Sequence, residues 1–81
     1  MDREQVQNEI IRLTHEIDFA PEEISLLTER GKLYYRSGTF DKAMNDFVRV
    51  RAIESDHLEA GEYIRLISEI FAFHYQDFYN P

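Results

Sequence analysis

Two helical patterns meet at the tight turn Ser37-Gly38-Thr39, and this junction constrains the fold more than any other stretch. Gly38 can adopt the left-handed conformation that ends a helix, and Thr39 can cap the helix that follows. A connection this short makes the two helices antiparallel neighbours. Gly31 in the first of them and Ala43 in the second are small, so we expect a close approach there. A glycine inside a helix costs about 1 kcal/mol against alanine and is usually kept for such a packing reason.

Apolar periodicity predicts an all-α domain with no strand candidate. The first helix places four apolar residues at spacings of 4, 3 and 4, which is one face of a 3.6-residue period: Val6, Ile10, Leu13 and Ile17. The whole pattern predicts four antiparallel helices at about residues 3–18, 22–37, 40–53 and 57–75. Gly and Pro are few and no low-complexity linker occurs, so we expect one domain over residues 1–81.

Local capping signals set the expected helix boundaries. Asp2 can cap the first helix, and Pro21 can open the second because its fixed φ suits the first helical position. Asp56 followed by Glu59 has the form of a capping box for the fourth helix. We expect residues 77–81 not to continue as regular helix.

Charge and composition narrow the classes of partner. The net charge of −7 comes from 16 acidic and 9 basic residues, and nucleic acid is disfavoured because phosphate contacts need clustered Lys and Arg. A basic or mixed-charge protein partner suits this surface better. No apolar run approaches the ~20 residues of a membrane span, so no membrane partner is expected. The chain has no cysteine and its charged N-terminus is unlike a secretory signal, so we expect a cytoplasmic location.

No set of residues suggests catalysis. The three histidines, His15, His57 and His74, are far apart in sequence, and His57 is best explained as a first-turn residue of the fourth helix. No serine lies in a glycine-flanked nucleophile turn with a histidine at the spacing of a known catalytic motif. No Gly-rich phosphate-binding loop occurs either. We therefore expect no enzymatic activity, no metal site and no cofactor.

The spacing across the central turn resembles that of a tetratricopeptide repeat, a helix–turn–helix with the pattern W-x2-L-G-x2-Y…A-x3-F…P. With Gly31 on the pattern's glycine, the remaining matches are packing residues of the repeat: Leu27 at the Trp position, Tyr34, Ala43 and Phe47. The full repeat would span about residues 24–57. Arg30 stands where Leu is usual, and Ser55 replaces the terminal Pro.

The flanking helices extend this resemblance. Moved back by one period of 34 residues, Ser55 falls on Pro21. The first helix thus resembles the second half of a truncated repeat, and the fourth helix takes the place of a half-repeat or capping helix. Residues 73–81 are also similar to the aromatic helix and Tyr-Asn-Pro tail of small bacterial proteins of this family. That similarity implies no activity.

In this family the first helix of each repeat lines a concave groove. The resemblance therefore implies a non-catalytic module that binds a protein or peptide, with groove residues Ser25, Thr28, Glu29, Lys32, Tyr35 and Arg36. Lys32 and Arg36 are four residues apart and could hold a carboxylate or an acidic peptide segment. The alternative is an ordinary solvated face with weak ion pairs.

The fourth helix is more apolar than one packing stripe requires. Ile64, Ile67 and Phe71 can pack on the third helix. A second set has no obvious internal partner, and it consists of Tyr63, Leu66, Ile70 and Phe73. An exposed patch of that size marks an interface. Three alternatives remain for its cover, namely the tail aromatics Tyr75, Phe78 and Tyr79, a second copy of the chain, or a different protein's helix or peptide. A structural module that forms a homodimer is therefore the alternative function.

Overall fold

The computed structural model describes the backbone of residues 1–79 and the side chains of residues 1–73. It confirms an all-α fold of four helices, with no strand in the described part of the chain. The helices are α1 (Arg3–Phe19), α2 (Ile24–Arg36), α3 (Phe40–Ile53) and α4 (Leu58–Tyr79). A transmembrane segment needs a long and uninterrupted apolar helix, and none of these helices meets that requirement over the described residues.

The turn between α2 and α3 has the predicted geometry. Gly38 has φ 80°, the left-handed region that side chains disfavour. The Thr39 N–H donates to the Tyr34 carbonyl at 2.9 Å and the Gly38 N–H donates to the Tyr35 carbonyl at 3.1 Å. This pair of hydrogen bonds is a Schellman motif, which satisfies the last carbonyls of α2 and turns the chain back along it.

Two helix starts differ from the sequence expectations. Pro21 does not open α2, because it lies in a turn that the Glu23 N–H closes on the Ala20 carbonyl at 3.1 Å. The capping box predicted at Asp56 is also wrong. His57 precedes α4, and its Nδ1 accepts a hydrogen bond from the Ala60 N–H at 3.1 Å, so the imidazole replaces the expected carboxylate cap.

The end of α4 also differs, because the helix continues to Tyr79 instead of stopping near residue 75. The expectation that residues 77–79 leave the helix was wrong. No Gly or Pro lies between Gly61 and Pro81, so no residue breaks the helix there. Asn80 and Pro81 lie outside the described residues.

The helices stack in chain order around one core. Extensive contacts join α1 with α2, α2 with α3, and α3 with α4. The fully buried side chains come from all four helices: Leu13, Leu27, Ala43, Phe47, Val50, Ala60 and Ile67. The radius of gyration is 13.7 Å, against about 12 Å for a compact domain of this length. Within the described part of the chain, this open stacking leaves one side of α2 without a helix packed over it.

α2 and α3 approach each other closely at Gly31. A Cβ placed on Gly31 would lie 2.9 Å from Cζ of Phe47, closer than real Cβ atoms approach another carbon. Phe47 is fully buried and stacks on Tyr63 of α4, with ring centroids 4.6 Å apart and planes within 3°. Gly31 therefore makes room for the ring that joins α2, α3 and α4.

Candidate functional site

The candidate site is the uncovered side of α2, which we call the α2 groove. It consists of two adjoining depressions that share Glu29 and Lys32. The loop-side depression, about 740 Å³, is lined by Glu23, Ile24, Ser25, Thr28, Glu29, Lys32, Glu54, His57 and Glu59. The tyrosine depression, about 450 Å³, is lined by Met1, Glu9, Glu29, Lys32, Leu33, Tyr35, Arg36 and Tyr63. Side chains of α1, α2 and α4 thus surround one concave surface.

The six residues expected in the groove all line one of these depressions, but they differ in exposure. Ser25, Glu29, Lys32 and Arg36 are exposed, and Tyr35 is half-buried. Thr28 lines the loop-side depression but is only 7% exposed. Its hydroxyl oxygen has no hydrogen-bond partner among the described residues. Thr28 is therefore part of the wall beneath the loop-side depression.

Lys32 is already engaged within the chain. Its Nζ donates to Oε2 of Glu59 on α4 at 3.0 Å, and this hydrogen bond raises the pKa of Lys32 above its ordinary value. The pairing joins two exposed side chains, so its contribution to stability is small. It matters for recognition, because Glu59 already offsets the charge of Lys32 and so weakens its attraction for a partner carboxylate.

The tyrosine depression has an ordered aromatic wall. Tyr35 meets Tyr63 edge to face at a centroid distance of 5.0 Å and meets Phe40 in the same manner at 5.4 Å. Tyr63 was expected to lack an internal partner, and that expectation was wrong because Phe47 and Tyr35 both contact its ring. Which residues of the other helices meet Tyr63 depends on how the helices pack, and the periodicity of α4 alone does not specify that packing.

The rest of the apolar patch on α4 is less well covered. Leu66 and Ile70 are half-buried but are not among the side chains packed against the core, and Phe73 is 65% exposed. In contrast, Ile67 is fully buried. The tail aromatics Tyr75, Phe78 and Tyr79, proposed as a cover, have side chains outside the described residues. Because α4 is continuous through Tyr79, the backbone does not fold back over the patch before that residue.

Sequence reasoning missed the main polar contact between α2 and α3. Arg30 donates to both carboxylate oxygens of Asp46, a residue that is only 4% exposed. A third donor of Arg30, Nη1, reaches the Thr14 hydroxyl of α1 at 3.3 Å. The available signal was Arg30 at a position where the repeat pattern has Leu, since a charged residue there requires a nearby counter-charge.

The described residues contain no group of three or more His, Cys, Asp or Glu side chains placed to hold a metal ion. The α2 groove presents hydrogen-bonding, charged and aromatic side chains. No family model, no curated protein and no solved structure matches the chain.

Proposed function

We propose that this chain is a non-catalytic interaction module of the tetratricopeptide-repeat kind, which binds a peptide or protein segment in the α2 groove. One observation carries the proposal. Two depressions adjoin on α2 and share Glu29 and Lys32, and in the described part of the chain no helix packs over them. Concave surfaces lined by aromatic rings and a few placed charges are typical recognition sites.

The contact of Gly31 with Phe47 supports the family part of the proposal. In the repeat pattern a glycine on the first helix and a phenylalanine on the second recur at these positions. Here the missing Cβ of Gly31 leaves the space that the Phe47 ring occupies. The stacking of helices in chain order, each on its neighbour, is also the arrangement of repeat proteins.

The dimensions of the groove fit a short extended segment. The 13 residues of α2 span about 20 Å along the helix axis. An extended chain rises about 3.3 Å per residue, so about six residues of a bound peptide would cover the groove from Glu23 to Arg36. A segment of that length could contact both the charged and the aromatic depression.

Site-specific photo-crosslinking in the native cell tests this proposal. A photo-reactive amino acid in place of Ser25, which is exposed in the groove, is expected to form a discrete heterologous adduct. The matched control carries the same group in place of Asn45, an exposed position on α3. Equal adducts from both positions, or none from the Ser25 position, would contradict groove binding.

A second candidate function is homodimer formation through α4. The observation that favours it is the set of apolar side chains on α4 that do not pack on the core, with Phe73 65% exposed. Sedimentation equilibrium tests it directly. Leu66→Asp combined with Ile70→Asp should convert a dimer to a monomer. Val48→Asp combined with Ala52→Asp, which adds the same two charges at exposed positions of α3, should leave the dimer intact.

The unaltered chain supplies the decisive comparison for this second function. If it sediments as a monomer at high concentration, the homodimer function fails. If both variants dissociate the dimer equally, the effect comes from added negative charge and not from the α4 patch.

A further inference from the structure

The occupant of the α2 groove has a definite charge. Resting on the proposed groove function, we infer that the bound segment is basic, with Lys or Arg side chains in the loop-side depression. This differs from the acidic segment that Lys32 and Arg36 suggest when the sequence is considered alone.

The loop-side depression is lined by more acids than bases. Glu23, Glu29, Glu54 and Glu59 supply four carboxylates, and Lys32 supplies the one ammonium group. That ammonium is bonded to Glu59, so Glu29 and Glu54 have no ion-pair partner in the described part of the chain. A cation placed there meets carboxylates without first breaking an ion pair, whereas an anion meets a lysine whose charge Glu59 already offsets and three further carboxylates.

The neighbouring aromatic wall suits the same kind of ligand. Tyr35 and Tyr63 are half-buried and fixed edge to face, beside the shared carboxylate of Glu29. Long cationic side chains pack their methylene stems on aromatic rings and place the charged head near the ring face or a carboxylate. Arg36 lies in the tyrosine depression at the end of α2, and its positive charge repels basic side chains. The basic part of the bound segment is therefore confined to the loop-side depression.

An independent observation comes from Thr28 in the wall of the loop-side depression. Nearly all buried polar groups in folded proteins have a hydrogen-bond partner. Thr28 is 93% buried, and its hydroxyl oxygen, which is shielded from solvent, has no hydrogen-bond partner among the described residues. A bound segment that turns this side chain toward the depression would supply the missing partner with a polar group such as a backbone amide. A second copy of the chain is a poor occupant, because each copy carries a net charge of −7.

The test uses two fluorescent probes of equal length, an alternating Lys-Ala peptide and an alternating Glu-Ala peptide, with anisotropy as the measurement. The Lys-Ala peptide should bind, and binding should weaken as salt is raised. Glu29→Gln combined with Glu54→Gln should weaken it roughly tenfold. Glu62→Gln combined with Glu69→Gln is the matched control, because it makes the same charge change beside Arg65 on another face of α4.

The outcomes separate this inference from the groove function itself. Equal weakening by both double variants means attraction to net charge alone and overturns the inference. If the Glu-Ala peptide binds and Lys32→Gln abolishes that binding, the inference is overturned but the groove function stands. Binding of neither peptide overturns the inference, and the groove function then depends on the crosslinking result at the Ser25 position.

Discussion

Arg30 on α2 grips Asp46 on α3 through two parallel hydrogen bonds, from Nε to Oδ2 at 2.9 Å and from Nη2 to Oδ1 at 2.7 Å. Both side chains are largely removed from water, with 18% and 6% of their surfaces exposed. The hydrogen bonds to Asp46 raise the pKa of Arg30 above its ordinary value. Since Arg30 also reaches Thr14, one polar network ties α1, α2 and α3 together.

Removing one partner of this pair should be costly. Asp46→Ala leaves the Arg30 guanidinium half-buried without its counter-charge, and we expect a loss of about 3–5 kcal/mol in the free energy of unfolding. Urea unfolding followed by circular dichroism measures it. The double variant Arg30→Leu with Asp46→Leu should cost much less than the sum of Arg30→Leu and Asp46→Leu made singly, since well-packed apolar pairs replace buried ion pairs at little cost. Additive losses would contradict a direct coupling.

Gly31→Ala should destabilise the protein, although alanine is the better helix former by about 1 kcal/mol. The new methyl would meet the Phe47 ring, which is fully buried and held against Tyr63. Overpacking of this kind costs about 1–3 kcal/mol. In a Phe47→Leu background the methyl finds space, so the same change should become neutral or stabilising. Thermal unfolding of the four proteins gives the double-mutant cycle, and an equal effect in both backgrounds would refute the contact.

Gly38→Ala tests a backbone effect in isolation. No atom lies within 4 Å of the added Cβ, so the cost comes only from the φ of 80°. We expect a loss of about 1–2 kcal/mol, and a smaller loss for Gly38→Asn because asparagine tolerates the left-handed region better. Chemical denaturation measures both. If the alanine and asparagine variants were equally stable, the Schellman turn would not be the source of the effect.

Local signals predicted the helices well because helix formation depends on neighbours three and four residues apart. The stripe from Val6 to Ile17 and the glycine at position 38 contain that information directly. The start of α4 was less accessible, because an imidazole cap at His57 competes with an equally plausible carboxylate at Asp56.

Local sequence signals could not predict the charge of the α2 groove. Lys32 and Glu59 are 27 residues apart, and Arg30 and Asp46 are 16 apart. Which of these side chains meet depends on the crossing angle and register of packed helices, which are set by the whole core. The sequence identified Lys32 as a candidate cation, and the packing of α4 on α3 placed Glu59 within hydrogen-bond distance of it.

Thr28→Val should stabilise the free protein, against the usual trend for substitutions in a core. The change keeps the shape of the side chain and removes a buried hydroxyl that has no partner among the described residues. Relieving that desolvation cost should add about 1 kcal/mol to the free energy of unfolding. Thr14→Val is the matched control, because the Thr14 hydroxyl donates to the Ile10 carbonyl at 2.7 Å and accepts from Arg30. The control should lose about 1 kcal/mol or more. Urea unfolding of the two variants decides the matter, and changes of the same sign at both positions would mean that the Thr28 hydroxyl is satisfied in the free protein.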